Sequence, residues 1–150
     1  IVLDGVEVDV YPVYQSRLGR RLRVPVEALV PHAERIGRAR VLSAEALFVA
    51  KMAALLDRPD SLPGEKDRQE MWALASSDEP LDFGIVAAIL ERSGWDAVSR
   101  RSLLEETFGL LEETPGLTKT DRSKLRRGRS RALAARVARS TRDHEMELEP

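Results

Sequence analysis

The chain predicts an α+β fold, with strands first and a helical region after. Three observations carry this. Alternating β-branched residues around an Asp-Gly pair open the sequence, and short β-like runs recur only up to about residue 42. From Ser43 onward, helix-length segments are bounded by Ser, Thr, Pro and Gly at positions suited to caps and stops. Charged residues make up 33% of the 150 and aromatic residues 5%, a balance that suits helices better than a β-sandwich.

In order, Val2-Leu3, Asp4-Gly5 and Val6–Val10 read as a hairpin. Alternation sets Val6, Val8 and Val10 on one face, with Glu7 and Asp9 on the other, until Pro12 ends the strand. Residues 17–23 are Arg-rich and read as solvated; Leu22–Val26 and Ala39–Leu42 read as further short strands. Between these two, residues 26–36 read as a short helix broken at Pro31. Ser43 is suited to cap a helix running to about Asp57, which Pro59 keeps from continuing. A loop over 58–65 leads to a helix from about Lys66 to Ala75. Another is expected over Leu81–Arg92, between Pro80 and Gly94, and another over Asp96–Glu113, before Pro115-Gly116. Thr118 or Thr120 caps a last, basic helix expected to reach about Arg142.

Composition excludes several classes of function. There is no cysteine, hence no disulfide or thiol chemistry. No apolar run approaches the roughly 20 residues that span a bilayer. The acidic, alternating start is unlike a signal peptide, and a cytoplasmic location without membrane attachment is expected. Because the first residue is Ile1 and not Met, the sequence is expected to be a fragment or a processed product. The net charge of −1 hides segregation: residues 1–118 carry 14 basic and 20 acidic side chains, whereas 119–142 carry 10 basic ones against Asp121 alone. The tail 143–150 is acidic again. Such polarity either holds the chain's own parts together or reserves the basic segment for a polyanion.

Three places have side chains suited to chemistry. Asp9, flanked by valines on a strand, is placed as metal-dependent phosphoryl-transfer sites place a hard oxygen ligand, with Glu7 as a helper on the same face. The plainer reading is a half-exposed strand whose outward residues are acidic. Lys51 lies in the helical row Leu47, Lys51, Leu55, where an ammonium needs an anionic partner or must reach past the helix edge to water. Asp67 and Glu70 share a helix face in KDRQEMW; an acid near a helix start also simply suits the dipole. His32 and His144 are too far apart to argue for zinc or a dyad.

Taken together, VEVDVYP (Asp9), SAEALFVAKMAALLDR (Glu45, Lys51, Ala54, Leu55, Arg58) and KDRQEMWAL (Lys66, Asp67, Glu70, Trp72) resemble the AbiEii/AbiGii-type nucleotidyltransferases, in order and approximate spacing, over residues 6–75. The resemblance implies a nucleotidyltransferase-like mixed sheet, present in part over 1–75, and a helical region over 76–150. It further implies Mg²⁺-dependent transfer of a nucleoside monophosphate from a nucleoside triphosphate to an acceptor such as tRNA, often as a toxin paired with an antitoxin or in phage defence. By the same carry-over Asp9 is a metal ligand, Lys51 and Arg58 meet the triphosphate, and Asp67 orients Lys51 or acts as base. Glu70 stands where the family more usually has Asp. The family's Gly-Ser motif and Asp-x-Asp strand are absent ahead of Asp9. They are expected upstream or on a partner chain, and this chain alone is expected to be inactive.

The basic last helix is a separate signal. Arg126, Arg127, Arg129 and Arg131 are candidates for nucleic-acid contact, around a thin apolar stripe of Leu125, Leu133, Ala134 and Val137. With no interleaved aromatic residues, contact would be to phosphates and not by stacking. The alternative to an enzyme part is therefore a non-catalytic helical module that binds nucleic acid or a protein through this helix. The plainest reading has the helix pairing with the acidic body and tail.

Overall fold

A computed structural model describes residues 2–137 as an α+β fold, in which three short β-ribbons accompany six helices. The first ribbon pairs β1 (Val2–Leu3) with β2 (Val6–Glu7), Val2 opposite Glu7 and Leu3 opposite Val6. Asp4 and Gly5 between them have φ of 50° and 79°, the two left-handed residues of a type I′ turn. The hairpin is the one expected, but β2 stops at Glu7, and Asp9 lies beyond it in irregular chain. Alternation is a poor guide here because neither face is packed: Val2, Leu3, Val6 and Val10 are all exposed.

The second ribbon pairs β3 (Arg17–Leu18) with β4 (Val24–Pro25). The stretch 17–23, expected to be solvated, instead contains Leu22, which is fully buried. Its polar neighbours hide it, since a lone apolar residue among arginines has no period to read. The chain is fastened there by Asp57, whose two carboxylate oxygens accept from Arg20 N (2.9 Å) and Arg21 N (3.0 Å). Arg21 also forms a two-pronged ion pair with Glu106, which holds that carboxyl below its usual range.

Helix α1 (Val26–Leu29) runs into a 3₁₀ turn, Val30–His32, at Pro31. The helix expected over 26–36 therefore ends early, and 33–36 form β5 (Ala33–Ile36), paired with β6 (Ala39–Leu42). Gly37, at φ +59°, takes the first corner of the two-residue turn, the pattern of a type II′ hairpin. The glycine that makes this turn stands in the sequence, but the apolar spacing of 26–36 masks its meaning. The strands thus pair as three separate antiparallel ribbons, and no mixed sheet forms among the described residues.

His32, at the end of the 3₁₀ turn, is half-buried; burial and the charge of Arg92 push its pKa down against the opposing pull of Glu45. A histidine held neutral by the fold protonates more readily when unfolded, so its contribution is present above about pH 6.5 and is lost as pH falls below that value. Urea midpoints should therefore drop between pH 7.5 and 5.5, and the drop should be smaller in His32→Gln. Identical pH slopes for the two proteins would remove His32 from the account.

The helical body is α2 (Ala44–Asp57), α3 (Leu62–Ala75), α4 (Phe83–Arg92), α5 (Ala97–Glu112) and α6 (Lys119–Ala134). Each has a side-chain N-cap: Ser43, Ser61, Asp82, Asp96 and Thr118, the last in a reciprocal capping box with Asp121. After α4, Gly94 at φ +95° and the bonds Gly94 N→Glu91 O and Trp95 N→Leu90 O form a Schellman stop. α3 begins at Leu62 and not near Lys66, because Ser61 caps it and Pro63 falls in its first turn. The α2–α3 connection is thereby cut to residues 58–61. α6 ends at Ala134, where Ala135 turns extended, short of the expected Arg142; residues 138–150 lie outside those described.

One cluster of buried side chains runs from Leu22 to Ala132, centred on Phe48, Phe83 and Phe108, whose ring centroids lie 5.8–6.3 Å apart. α2 packs on α3, α4 and α5, and α6 lies mainly on α5. The buried face of α6 is Leu125, Gly128 and Ala132, with Leu133 half-buried, and not the Leu125–Leu133–Val137 stripe expected. Gly128 faces the Phe108 ring, where a Cβ would stand 3.4 Å away, an ordinary contact. No helix among the described residues is long and apolar enough to cross a membrane.

Candidate functional site

The helical hairpin α2–α3 brings together most of the residues singled out above. Lys51, about a turn and a half from the end of α2, reaches across to α3. Its Nζ lies 3.3 Å from Asp67 Oδ1 and forms a close ion pair with Glu70. Arg58, the C-cap of α2, places Nη2 3.3 Å from the other oxygen of Asp67. Lys66 approaches Glu70 at 3.9 Å within α3. The sequence row Leu47–Lys51–Leu55 proves uneven: Leu55 is buried and Leu47 exposed, so Lys51 stands at the edge of the core.

The electrostatics follow from this geometry. Asp67 is buried, with its side chain 5% exposed, and each of its oxygens takes one cation, which is the condition for keeping a charge there. The Lys51 side chain is 28% exposed. Burial alone would lower its pKa, but the carboxylates of Glu70 and Asp67 more than reverse that, and the ammonium is held above its ordinary value. The charge therefore persists throughout the neutral range. Arg58 is half exposed.

Arg58 also borders a shallow cavity of about 210 Å³ lined by Tyr11, Leu18, Gly19, Ala50, Ala54 and Asp57. Tyr11 brings the N-terminal segment to the cluster's edge. Asp9, two residues earlier, is exposed and makes no hydrogen bond or ion pair with Lys51, Arg58 or Asp67. Among the described residues no three His, Asp or Glu side chains converge to hold a metal ion. The carboxylates of Asp67 and Glu70 are already matched by cations, which leaves Asp9 as a single ligand. These residues by themselves do not fit a Mg²⁺ site.

Two residues missed in the sequence belong to this region. Arg68 is buried, donates from Nη2 to Pro59 O at 3.1 Å, and so braces the α2–α3 turn. Its only sequence signal was adjacency to Asp67. Gly64 is packed against Arg58 and Pro59, where a Cβ would fall 1.9 Å from Arg58 O. Glu45, by contrast, serves the fold, since its Oε1 accepts from Asp82 N at 3.1 Å, at the start of α4.

No family model, curated protein or solved structure matches the chain. The likeness to the AbiEii/AbiGii type therefore rests on the residues quoted above.

On α6 the outcome is different. Arg126, Arg127, Arg129 and Arg131 are all exposed, and no basic side chain of α6 has a carboxylate within 4 Å among the described residues. Pairing with the acidic body, the plainest expectation, is not seen. The acidic tail lies outside the described residues.

Proposed function

We propose that this chain is part of a nucleotidyltransferase of the AbiEii/AbiGii type, which transfers a nucleoside monophosphate from a nucleoside triphosphate to an acceptor, tRNA being the expected class. What supports the reading is one observation: Lys51, Arg58, Asp67 and Glu70, drawn from two successive helices, form a single charged cluster beside an open cavity. In this reading Lys51 and the open edge of Arg58 neutralise triphosphate charge. Asp67, acceptor-only and buried, aims both cations and keeps them fixed. Mg²⁺ would supply charge neutralisation at the phosphates, and its further carboxylates would come from outside the described residues, with Asp9 as one contributor. A cytoplasmic toxin or phage-defence role, with an antitoxin partner, belongs to the same proposal.

Calorimetric titration of a nucleoside triphosphate with Mg²⁺ tests it, on this chain and on a version extended at its amino end. Binding by the extended version, weakened about tenfold or more (~1.4 kcal/mol) in Lys51→Ala and in Asp9→Asn, is expected. Binding that is unaffected by either substitution, or no binding at all, would remove the assignment.

The unpaired cations of α6 favour a second reading, a helical module that binds nucleic acid without catalysis. It predicts RNA binding by a chain that binds no triphosphate.

A further inference from the structure

The basic residues of α6 are not spread evenly around it. At about 100° per residue, Lys124, Arg127 and Arg131 fall within one sector of roughly 60°. Arg122, Arg126 and Arg129 fall within another, and the buried stripe Leu125–Gly128–Ala132 runs between the two. The first row lines a cleft. It opens over about 250 Å³ between α6 and the turn after α3, and its other walls are Ala75, Ser76, Ser77, Asp78 and Pro80.

The fold builds this cleft by packing α6 against the end of α3, with Gly128 facing Ala75 O. Three cations then face one carboxylate, Asp78, so the cleft carries an excess of two positive charges. The carbonyl end of α3 attracts cations too. Yet none of the three donates a hydrogen bond to it or lies within 4 Å of a carboxylate, and Lys124, which feels Asp121 one turn away, is half-buried. The hydroxyl of Ser77 accepts from Glu79 N and keeps its own proton to donate. No aromatic ring lines the cleft, so nothing there stacks a base.

We propose that this cleft is a phosphate-backbone site for folded RNA, in which Lys124, Arg127 and Arg131 make the contacts and the row Arg122–Arg126–Arg129 does not. It deepens the acceptor part of the proposed function, but its test needs neither triphosphate nor metal, so the two can fail separately. Anisotropy of a fluorescent RNA hairpin would be followed across a salt series for the full chain, for Arg127→Gln with Arg131→Gln, and for Arg126→Gln with Arg129→Gln. The two double variants have equal net charge and alter only exposed side chains, and circular dichroism would check their folding. The cleft variant is expected to lose about tenfold or more in affinity at about 0.1 M salt, and about two units of the salt slope. The control pair should lose less than about threefold. Equal losses in the two variants, no loss in either, or no RNA binding by the parent overturns the proposal.

Discussion

Phe108→Ala is expected to cost about 3–5 kcal/mol, the range for deleting a fully buried aromatic side chain. Phe108 is where three parts of the body meet. It lies 6.3 Å from Phe48 of α2 and 6.0 Å from Phe83 of α4, ring centre to ring centre, and its edge faces Gly128 of α6. Neighbours on separate helices cannot all close on one vacancy, so the cavity persists and the cost falls in the upper part of the range. A domain of this size has roughly two to three times that stability in total, so the variant should still fold but with a third to a half of its margin gone. Chemical denaturation gives the test: a loss below about 1.5 kcal/mol would show that α5 and α6 close up without the ring.

Gly64→Ala should cost about 1–3 kcal/mol, against the gain of up to about 1 kcal/mol that alanine normally brings to a helix. The added methyl would sit 1.9 Å from Arg58 O and 3.2 Å from Pro59 O. These are backbone atoms and cannot swing aside, so α3 must lift from the end of α2. Arg58 would move with it, and the 3.3 Å contact to Asp67 would be lost. The variant should therefore show a lower urea midpoint together with weaker triphosphate binding than an equally destabilised core variant. A midpoint equal to or above that of the parent would mean that the turn yields freely.

These two residues also mark the limits of reading the sequence. The helix caps at Ser43 and Thr118, and the stops at Pro59 and Gly94, were legible because each rests on local chemistry that a neighbour cannot change. Asp4-Gly5 was legible for the same reason. The family likeness implied Asp67 beside Lys51, and the two lie 3.3 Å apart; the ion pair of Lys51 with Glu70 was not foreseen. What misled was alternation without packing, which extended β2 to Val10, and periodicity without turn chemistry, which made a helix of Ala33–Ile36. Leu22 and Gly64 were missed because their importance arises from close approaches between segments, which nothing in the local pattern announces.

The first ribbon has a thermodynamic consequence. A two-stranded hairpin is marginal in water unless something covers it. Here Val2, Leu3, Val6, Val10 and Tyr14 bury little, so the segment 2–15 draws little hydrophobic stability from the helical body, though Tyr14 N donates to Glu27 at 3.2 Å. The body from Leu22 to Ala132 is then the cooperative unit, and the amino-terminal stretch opens and closes on its own. Its amides should exchange with solvent orders of magnitude faster than those of α2 and α5, and the heat absorbed on melting belongs to the body from Leu22 to Ala132.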